Sequence, residues 1–404
     1  MKLILIISYL FLHFQSIVYG FLCISDGLFG NPDDKHSFYQ CSFGTAFLMP
    51  CPATLVWNQD KYVCDWDKPS PPLLPSSCDS NPIKNCRETS QWTSDGIAFV
   101  GKDSKWGSDS QHLGSPFGLF IDVEHGNNVY VADVDNHRIQ KFLRGSLDNG
   151  GITVAGGNGK GNASNQLAEP RAIYVDKNEN VYIVDNDNYR IQLWKKDAKE
   201  GITIAGGNGK GIELNQIGAS QGLFVHEKTN TLYISDFYND RVVKWDSKTN
   251  QGIIVAGGNR GGKNSNQLSM PRGIFVDDCE NIYIADLFNH RIQLWKKDAK
   301  EGITVAGGNG MERNTNQLNN PWDVKVDQFK NIYIVDTDNA RIVKWTQNQT
   351  FGQIIVGGNG SGNKPNQFRA AHGLALDKEG NIFVSERLNA RIQMFQIDQK
   401  TNSC

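Results

Sequence analysis

The sequence predicts a mainly β protein, in which a small disulfide-rich β module precedes a six-bladed β-propeller. The first observation behind this prediction is a repeat that fills the C-terminal three quarters of the 404 residues. Each copy contains an arginine that follows an asparagine by two residues and an acidic residue by five. The arginines, 50 to 52 residues apart, are Arg138, Arg190, Arg241, Arg291, Arg341 and Arg391. A fixed period of this length indicates a repeat architecture.

The second observation is the composition within one copy. Residues 170–209 contain four short apolar runs, AIYV (172–175), VYIV (181–184), IQLW (191–194) and ITIA (202–205). Such runs are typical of strands, and the Asn-, Asp-, Lys- and Gly-rich segments between them are typical of turns. Because the runs are almost wholly apolar, both faces of each four-stranded sheet should be covered by neighbours, as in a propeller.

The number of blades follows from the two ends of the repeat region. The last copy ends after three strands, whereas GIAFVGKD (96–103) precedes the first copy and matches a fourth strand. We expect this strand to complete the last blade and close the ring, which leaves no open sheet edge. The prediction is six blades over residues 92–396. A proline-rich linker, residues 68–91, precedes them, and residues 397–404 form a tail.

The copies resemble the NHL repeat. In that family a blade opens with Pro-x-Gly, its second strand reads Asn-apolar-Tyr-Val-x-Asp, and its third reads Asn-x-Arg-Ile. The resemblance extends over roughly residues 92–396 and implies an NHL-type propeller. Some copies depart from it: Ser220 and Ala371 replace the opening proline in the third and sixth, and Asp323 replaces the glycine in the fifth.

The N-terminal segment, MKLILIISYLFLHFQSIVYG (1–20), has one lysine, a long apolar run and small or β-branched residues at its end. This pattern predicts a secretory signal peptide that is cleaved after Gly20, with a membrane anchor as the alternative. No later stretch of sequence is apolar enough to cross a bilayer. The formal net charge is −2, and this balance, together with export, argues against nucleic acid as a partner. We therefore expect a secreted, extracellular protein.

Cysteine usage is uneven, because six of the eight cysteines lie between Cys23 and Cys86. Secreted modules with this cysteine density are usually held by disulfides, since their cores are small. The predicted module spans residues 21–67 and carries four short motifs. They are DG (26–27), FYQC (38–41), CP followed by VWN (51–58), and CDW (64–66).

These motifs resemble the signature of the type-2, or peritrophin-A, chitin-binding domain. The resemblance implies binding to chitin or a related N-acetylglucosamine polymer. The disulfides that it implies are Cys23 with Cys41 and Cys51 with Cys64. The family usually has a further cysteine near Lys35, and this sequence has none there. The cysteine that matches the family's last one, Cys78, therefore lacks its customary partner.

The sugar-binding chemistry of such a module depends on aromatic side chains. Sugar rings pack their C–H groups on flat aromatic surfaces, while N-acetyl and hydroxyl groups need hydrogen-bond partners. The candidate chitin-binding residues are five aromatic platforms and one polar partner: Tyr39, Phe47, Trp57, Tyr62, Trp66 and Asn58. The alternative is that some of the aromatic residues form the core of the module, although a module of this size cannot bury all of them.

The remaining cysteines are interpreted from ring closure. Cys86 lies shortly before the closing strand and Cys404 shortly after the last strand, so both should emerge at one rim. This placement predicts a Cys86–Cys404 disulfide. The alternative pairs Cys78 with Cys86 and leaves Cys404 free. For Cys279 the sequence indicates no partner.

Two recurrent motifs look like binding or catalytic sites but are interpreted as structural elements. The string GGNGKG at 156–161 and 206–211 is similar to a phosphate-binding loop, but it follows a strand without opening a helix, which favours a turn. The acid, asparagine and arginine sets occur six times, whereas an active site occurs once. We therefore interpret them as hydrogen-bonded and ionic struts between strands.

Recognition by the propeller should depend on positions where the copies differ. Six such positions precede the opening glycine of each blade or its equivalent: Phe117, Arg171, Gln221, Arg272, Trp322 and His372. Beside them, in loops of the same face, we place His137, Tyr189, Phe237, Tyr238, Phe288, His290 and Arg387. Aromatic residues and arginines are typical of recognition surfaces, so we expect a face for an unknown protein or ligand. A variable, solvated rim is the alternative.

Three asparagines lie in glycosylation acceptor sequences: Asn162, Asn348 and Asn359. Such sequences are used in surface loops of secreted proteins. Two of the three fall in loops on the predicted recognition face. We expect the protein to be glycosylated.

The alternative interpretation is that the propeller is an enzyme. Six-bladed propellers include calcium- or zinc-dependent lactonases and lyases, which hold a metal on the central axis. The inner strands here offer His226 and His372, but no third histidine and no acid ring at matched depth. No nucleophile–base motif is present either, so we predict no catalytic residue, metal or cofactor. The sequence favours a secreted, non-enzymatic binding protein, whose propeller is an interaction scaffold tethered to extracellular chitinous material.

Overall fold

The computed structural model describes residues 90–398, except 102 and 146–149, and also Cys51 and seven strands between residues 17 and 66. Apart from short 3-10 helices, every element in this part of the chain is a strand. The mainly β class that the sequence predicts is therefore confirmed. The chain divides into two compact units.

The first unit comprises residues 1–77. Its strands are β1 (Ile17–Val18), β2 (Phe21–Leu22), β3 (Gly27–Gly30), β4 (Ser37–Ser42), β5 (Thr45–Pro50), β6 (Leu55–Asn58) and β7 (Val63–Trp66). β1 pairs with β2, β3 to β5 form a three-stranded antiparallel sheet, and β6 and β7 form a hairpin. Cys51 directly follows β5 and is disulfide-bonded. Only the backbone of its expected partner, Cys64, is described, so that pairing stays a prediction.

The second unit, residues 78–404, contains six four-stranded antiparallel sheets. The first sheet contains β9 (Pro116–Asp122), β10 (Asn128–Asp133), β11 (Arg138–Phe142) and β12 (Ile152–Gly156), and the second contains β13 (Pro170–Val175), β14 (Val181–Asp185), β15 (Arg190–Trp194) and β16 (Ile202–Gly206). The third sheet contains β17 (Ser220–His226), β18 (Thr231–Asp236), β19 (Arg241–Asp246) and β20 (Gln251–Gly257), and the fourth contains β21 (Pro271–Val276), β22 (Ile282–Asp286), β23 (Arg291–Trp295) and β24 (Ile303–Gly307). The fifth sheet contains β25 (Pro321–Val326), β26 (Ile332–Asp336), β27 (Arg341–Trp345) and β28 (Gln353–Gly357). The first strands of neighbouring sheets contact one another in a closed ring. This arrangement is a six-bladed propeller in which the first strands surround a central channel.

The sixth blade uses strands from both ends of the propeller. Its strands are β29 (Ala371–Leu376), β30 (Ile382–Glu386), β31 (Arg391–Phe395) and β8 (Ile97–Val100), and β8 pairs antiparallel with β31. Before β8, Trp92 forms a bridge with Ile397, and its indole N–H donates to the carbonyl of Gly380 at 2.9 Å. The N-terminal strand therefore closes the ring with an added lock outside the sheet.

The structure tests the predictions for the cysteines of this unit unequally. Cys279, for which the sequence indicated no partner, is disulfide-bonded and lies in the loop between β21 and β22. Cys78, Cys86 and Cys404 lie outside the described residues. The predicted Cys86–Cys404 disulfide and its Cys78–Cys86 alternative thus remain open.

The hydrophobic core lies between blades. A representative cluster packs Tyr130 and Ile139 of the first blade against Ile173, Val181 and Trp194 of the second, and each of these side chains is at most 6% exposed. Full burial of a large apolar side chain contributes about 1.5–3 kcal/mol. A blade can gain this stabilisation only from its neighbours, which explains why its strands are apolar on both faces.

Each blade also contains a buried ion pair between its second and third strands. In the fifth blade, Arg341 Nε donates to Asp336 Oδ2 at 2.6 Å, and the two side chains are 2% and 0% exposed. The same carboxylate accepts from the amide of Asn339 at 2.9 Å and from the backbone N–H of Asn319 at 2.6 Å. These hydrogen bonds offset the desolvation of the buried carboxylate.

The same arginine fastens the loop that enters the blade. Its two terminal nitrogens donate to the carbonyls of Arg313, Asn314 and Gln317 at 2.8, 3.1 and 2.9 Å. The arginine–carboxylate distance is 2.6 to 2.8 Å in all six blades. The repeated sets therefore act as struts, as the sequence predicts.

Short 3-10 helices connect the strut partners in blades two to six. They are Asn186–Asn188, Phe237–Asn239, Leu287–Asn289, Thr337–Asn339 and Arg387–Asn389. Each is followed by a non-glycine residue in the left-handed region, such as Ala340 with φ of 50° and Ala390 with φ of 47°. Such a conformation costs an L-residue roughly 1–2 kcal/mol. The strut on either side of the turn holds the backbone there.

Two glutamates join neighbouring blades at the face opposite the 3-10 turns, in the loops between the first and second strands. Glu280 accepts from Lys244 Nζ at 2.6 Å, Lys297 Nζ at 2.7 Å and the Tyr233 hydroxyl at 2.7 Å. Burial opposes ionisation of Glu280, but these donors together outweigh it and lower its pKa to about 2. The equivalent Glu179 also has its pKa lowered to about 2, chiefly by hydrogen bonds from lysines. Both carboxylates therefore stabilise the folded state in the ionised form.

Arg341→Ala should strongly destabilise the propeller, because it leaves the Asp336 carboxylate buried without its counter-charge. Removal of one partner from a buried pair costs about 3–5 kcal/mol. Arg313→Ala is the matched control, since this exposed residue contributes only its carbonyl to the strut. The urea denaturation midpoint should fall for Arg341→Ala and stay near wild type for Arg313→Ala. Equal midpoints would contradict the strut.

Glu280→Gln should lower the free energy of unfolding at pH 7 by about 1–3 kcal/mol, since the glutamine cannot pair with two lysines. The folded pKa of about 2 lies below the unfolded value of about 4.3. The difference from wild type should therefore persist above pH 4.3 and shrink as the pH falls toward 2. Urea denaturation at several pH values measures it. The exposed Glu312→Gln is the control, and a pH-independent effect of Glu280→Gln would refute the assignment.

Candidate functional site

The six residues predicted as a recognition face occupy equivalent places in the fold. Each is the second residue of the first strand of its blade: Phe117, Arg171, Gln221, Arg272, Trp322 and His372. These strands surround the channel and all begin at the same face. The six side chains therefore meet at one mouth of the channel, and we call them the axial cluster.

Aromatic stacking is the main interaction across one side of the axial cluster. The Trp322 and His372 rings stack with centroids 3.9 Å apart and an interplanar angle of 19°. Phe117 adds a tilted contact with His372 at 4.4 Å. Phe117 and His372 are only 3% and 5% exposed. These two residues therefore contribute to the channel wall more than to an accessible surface.

Arginines lie over the rings of this cluster and of the neighbouring Phe237. The Arg272 guanidinium lies 4.1 Å from the Trp322 ring and 3.7 Å from the Phe237 ring. Arg171 lies 4.3 Å from the Phe117 ring and is paired with a neighbouring carboxylate, Glu169, at 2.6 Å. Cation–π contacts of this kind contribute about 0.5–2 kcal/mol when partly desolvated. The mouth is thus a mixed cationic and aromatic surface.

Burial and the neighbouring arginines set the ionisation of the axial cluster. Burial lowers the pKa of His372 well below its usual range, and Arg387, Arg272 and Arg171 lower it further. His372 is therefore neutral at pH 7 and stacks as an uncharged ring. Burial and the charge of Arg171 also lower the pKa of Arg272, to about 9, so Arg272 keeps its charge at neutral pH.

Several buried polar atoms of the axial cluster have no hydrogen-bond partner among the described residues. They are Arg171 Nε, Arg272 Nε, Gln221 Oε1 and His372 Nδ1. An unpaired buried polar atom costs about 1–3 kcal/mol. The cluster is therefore a place where a polar ligand group or water would restore lost hydrogen bonds.

The exposed side chains of this face lie farther out, in the 3-10 turns. Tyr238, Phe288 and Leu388 are 53%, 52% and 40% exposed, and we call these three residues the rim. The sequence placed Tyr238 and Phe288 beside the recognition positions but did not single out Leu388. The signal was available, since Leu388 occupies the same repeat position as the other two.

The two histidines considered for a metal site are far apart in the fold. His372 begins its strand at the axial cluster, whereas His226 ends β17 at the other end of the channel. His226 Nδ1 contacts Thr229 Oγ1 at 2.7 Å, and burial lowers its pKa. Within the described residues, no group of three or more His, Cys, Asp or Glu side chains is arranged to hold a metal ion.

The candidate chitin-binding residues fall on the strands of the first unit. Tyr39 is in β4, Phe47 in β5, Trp57 and Asn58 in β6, and Trp66 in β7. For these five residues the structure describes only the backbone, and Tyr62 lies outside the described residues. Their role stays a prediction. The neighbouring Leu48 and Met49 are 42% and 39% exposed, an apolar feature that the sequence analysis did not identify.

The three glycosylation acceptors are all exposed. The side-chain amide of Asn359 also donates to the carbonyl of Asn366 at 3.1 Å. Asn162 accepts through its carbonyl from the strut arginine Arg190 at 2.9 Å, which leaves its side chain outside the strut. Asn348 lies in the loop between β27 and β28. Their modification remains a prediction.

None of the helices in the described part of the chain has the length and hydropathy that a bilayer crossing requires. The N-terminal segment that the sequence identifies as a signal peptide lies mainly outside the described residues. The strand pair β1 and β2 flanks the predicted cleavage site after Gly20.

Two family models match the sequence. Residues 23–71 match the chitin-binding peritrophin-A domain, and residues 121–142 match the NHL repeat. The first match covers the segment that contains the cysteine and aromatic motifs. The second covers the end of the first strand, the second strand and the third strand of the first blade.

Two curated relatives match a short part of the chain. An endochitinase of Brugia malayi is 50% identical over 40 residues, which are 10% of this chain and 8% of the relative. Chondroitin proteoglycan 2 of Caenorhabditis briggsae is 43% identical over 44 residues, which are 11% of this chain and 9% of the relative. The match thus spans less than a tenth of the length of either relative.

Solved structures resemble the propeller. An auxiliary nutrient binding protein from Bacteroides thetaiotaomicron has a TM-score of 0.57 and 16% identity, covering 90% of this chain and 89% of that chain. A gluconolactonase from Xanthomonas campestris has a TM-score of 0.52 and 10% identity, covering 78% and 97%. At these identities the likeness shows the fold alone. From the family matches and the six blades, the chain carries an N-terminal peritrophin-A chitin-binding domain and an NHL repeat in a six-bladed β-propeller.

Proposed function

We propose that this is a secreted, non-enzymatic binding protein that is anchored to chitin or a related N-acetylglucosamine polymer. The observation that carries the proposal is the peritrophin-A match over residues 23–71. This domain supports chitin binding and suggests an extracellular location. An endochitinase and a chondroitin proteoglycan also match this chain, over 40 and 44 residues.

The propeller would add a second recognition surface. Its rim exposes Tyr238 and Phe288 on adjacent blades, and the buried Arg272 lies behind them on the Phe237 ring. Tyrosine, tryptophan and arginine are the residues that most often carry binding energy at interfaces. Because struts hold every turn of this face, a partner would meet a rigid surface with little loss of entropy on binding.

A propeller enzyme of the metal-dependent lactonase or lyase type is the alternative. The fold is shared with a gluconolactonase, but a fold can host unrelated functions. Two observations favour binding over catalysis. The acids that recur at the ends of the second strands are each bonded to a strut arginine, and His226 and His372 lie at opposite ends of the channel.

The chitin anchor is tested by retention on chitin beads. The wild-type chain should be retained, whereas a Trp57→Ala, Trp66→Ala double variant should lose at least tenfold in retained fraction, since sugar rings pack on these platforms. A fragment that begins near Cys86 should also pass through. Trp106→Ala is the matched control, because Trp106 is an exposed tryptophan of the propeller, 48% exposed. Equal retention of all four proteins would exclude the proposed anchor.

Metal analysis separates the two function classes. If the propeller is a binding scaffold, the purified and dialysed chain should contain well below one calcium or zinc ion per molecule. The measurement is elemental analysis of the wild type and of His226→Ala and His372→Ala variants. One tightly held ion per chain that is lost in either variant would overturn the non-enzymatic proposal and support a metal-dependent enzyme.

A further inference from the structure

A second concave site lies in the channel beyond the axial cluster. It has a volume of about 500 Å³ and is lined by the later residues of the first strands and by the loops that follow them. Pockets for small molecules have volumes of roughly 300–1,000 Å³. This channel pocket is therefore large enough for a ligand, and it belongs to the face opposite the rim.

Four aromatic rings form an arc along the wall of the channel pocket. Phe120, Tyr174, Phe224 and Phe275 occupy the same repeat position in blades one to four. The centroids of successive rings are 5.1, 5.5 and 5.4 Å apart, and the planes are inclined by 58° to 67°. The Tyr174 hydroxyl donates to Glu227 Oε1 at 3.2 Å, which fixes its ring. The arc is a continuous aromatic surface along one side of the channel.

The fifth and sixth blades break this pattern. At the arc position they carry Lys325 and Ala375, so the wall opposite the rings has a polar group and a gap. Lys325 Nζ donates to both oxygens of Asp323, at 2.9 and 2.8 Å. Asp323 is the residue that replaces the glycine of the repeat. Asp323 Oδ2 also accepts from the backbone N–H of Leu374 at 3.0 Å, which holds the pair in place.

Two departures from the repeat, Asp323 and Lys325, fall in the same strand, which indicates more than random variation between copies. Asp323 and Lys325 compensate each other's charge, at positions where blades one to four have glycine or alanine and an aromatic ring. Their side chains are 13% and 25% exposed. A buried ion pair of this kind contributes little net stability compared with apolar residues of similar volume. Stability alone therefore does not account for this pair, and its place in the fold points to a ligand contact by Lys325.

We propose that the channel pocket binds a pyranose sugar of the N-acetylglucosamine type. The aromatic arc would pack against the C–H face of the ring, and Lys325, held by its ion pair with Asp323, would donate a hydrogen bond to a hydroxyl or acetamido group. Aromatic platforms and adjacent polar groups suit the two kinds of surface that a pyranose presents. This inference rests on the proposed function and extends it, because it gives the propeller a site for short, soluble pieces of the polymer that the N-terminal domain holds as a solid.

The charges of the channel pocket favour a neutral sugar over an anion. The positive charge of Lys325 is already compensated by Asp323. The loops at the open end contribute both acids and lysines, including Glu124, Lys177 and Lys228. Because seven acids and four lysines line the pocket, the field of this mouth disfavours an anionic ligand. A polyhydroxylated neutral ligand can use donors and acceptors of both kinds.

The test measures binding of N,N′-diacetylchitobiose to the full chain by isothermal titration calorimetry. The Trp57→Ala, Trp66→Ala double variant serves as the background, so that the N-terminal domain does not contribute. In this background we expect one remaining site per chain. Adding Asp323→Gly and Lys325→Phe, which restores the residue types of the fourth blade, should weaken binding at least tenfold because it removes the polar pair.

Two further variants complete the test. Phe224→Leu keeps the ion pair but shortens the arc, and it should also weaken binding. Phe351→Ala removes an aromatic ring that is 55% exposed outside the channel, and it should leave binding unchanged. Urea denaturation midpoints near that of the background variant establish that the changes act on binding rather than on folding.

Three outcomes would overturn the inference. They are no chitobiose binding in the background variant, binding that is unaffected by the Asp323→Gly, Lys325→Phe change, and binding of p-nitrophenol without binding of the sugar. The last result would make the channel pocket a site for aromatic compounds. None of these outcomes alters retention of the wild-type chain on chitin beads, so failure of this inference is distinguishable from failure of the chitin anchor.

Discussion

Burial of each blade against its two neighbours is the constraint from which the rest of the propeller follows. Clusters such as Tyr130 and Ile139 against Ile173 and Trp194 exist only when adjacent blades are in place. A terminal blade would leave such a surface in water, so the ring must close. The strand β8 completes the sheet of the last blade, with Trp92 and Ile397 bridged beside it. The closed ring then has six equivalent interfaces between blades.

Once six equivalent blades surround an axis, equivalent residues converge on it. This convergence turns differences between repeats into sites. The second residue of each first strand, which the sequence shows as six scattered letters, becomes the axial cluster. The struts make this possible, because Arg341 and its counterparts hold both the turn and the incoming loop of every blade. The blades can then tolerate different side chains at the axis without a change of backbone.

Periodicity explains what the sequence could predict. Six copies of the acid, asparagine and arginine set were enough to infer the blades, the struts and the closing strand, because each copy supports the others. The depth of a residue relative to the axis was less accessible. His372 and Phe117 looked like surface residues in their loops, yet convergence with four neighbours buries them. The bonded state of Cys279 also gave no signal, since it occurs once and its position depends on the closed ring.

The channel pocket is a second case in which the position of a residue relative to the axis was not accessible from the sequence. Phe120, Tyr174, Phe224 and Phe275 looked like ordinary strand residues, because aromatic side chains within apolar runs usually indicate core. Only the closed ring shows that their repeat position lines a cavity. The departures at Asp323 and Lys325 were visible in the sequence, but an isolated departure is usually drift. Their meaning comes from their place in the ring of first strands, where Lys325, paired with Asp323, replaces the aromatic ring of blades one to four. In a symmetric fold, such a local break is where specific binding can arise, since six identical walls would offer a ligand no preferred orientation.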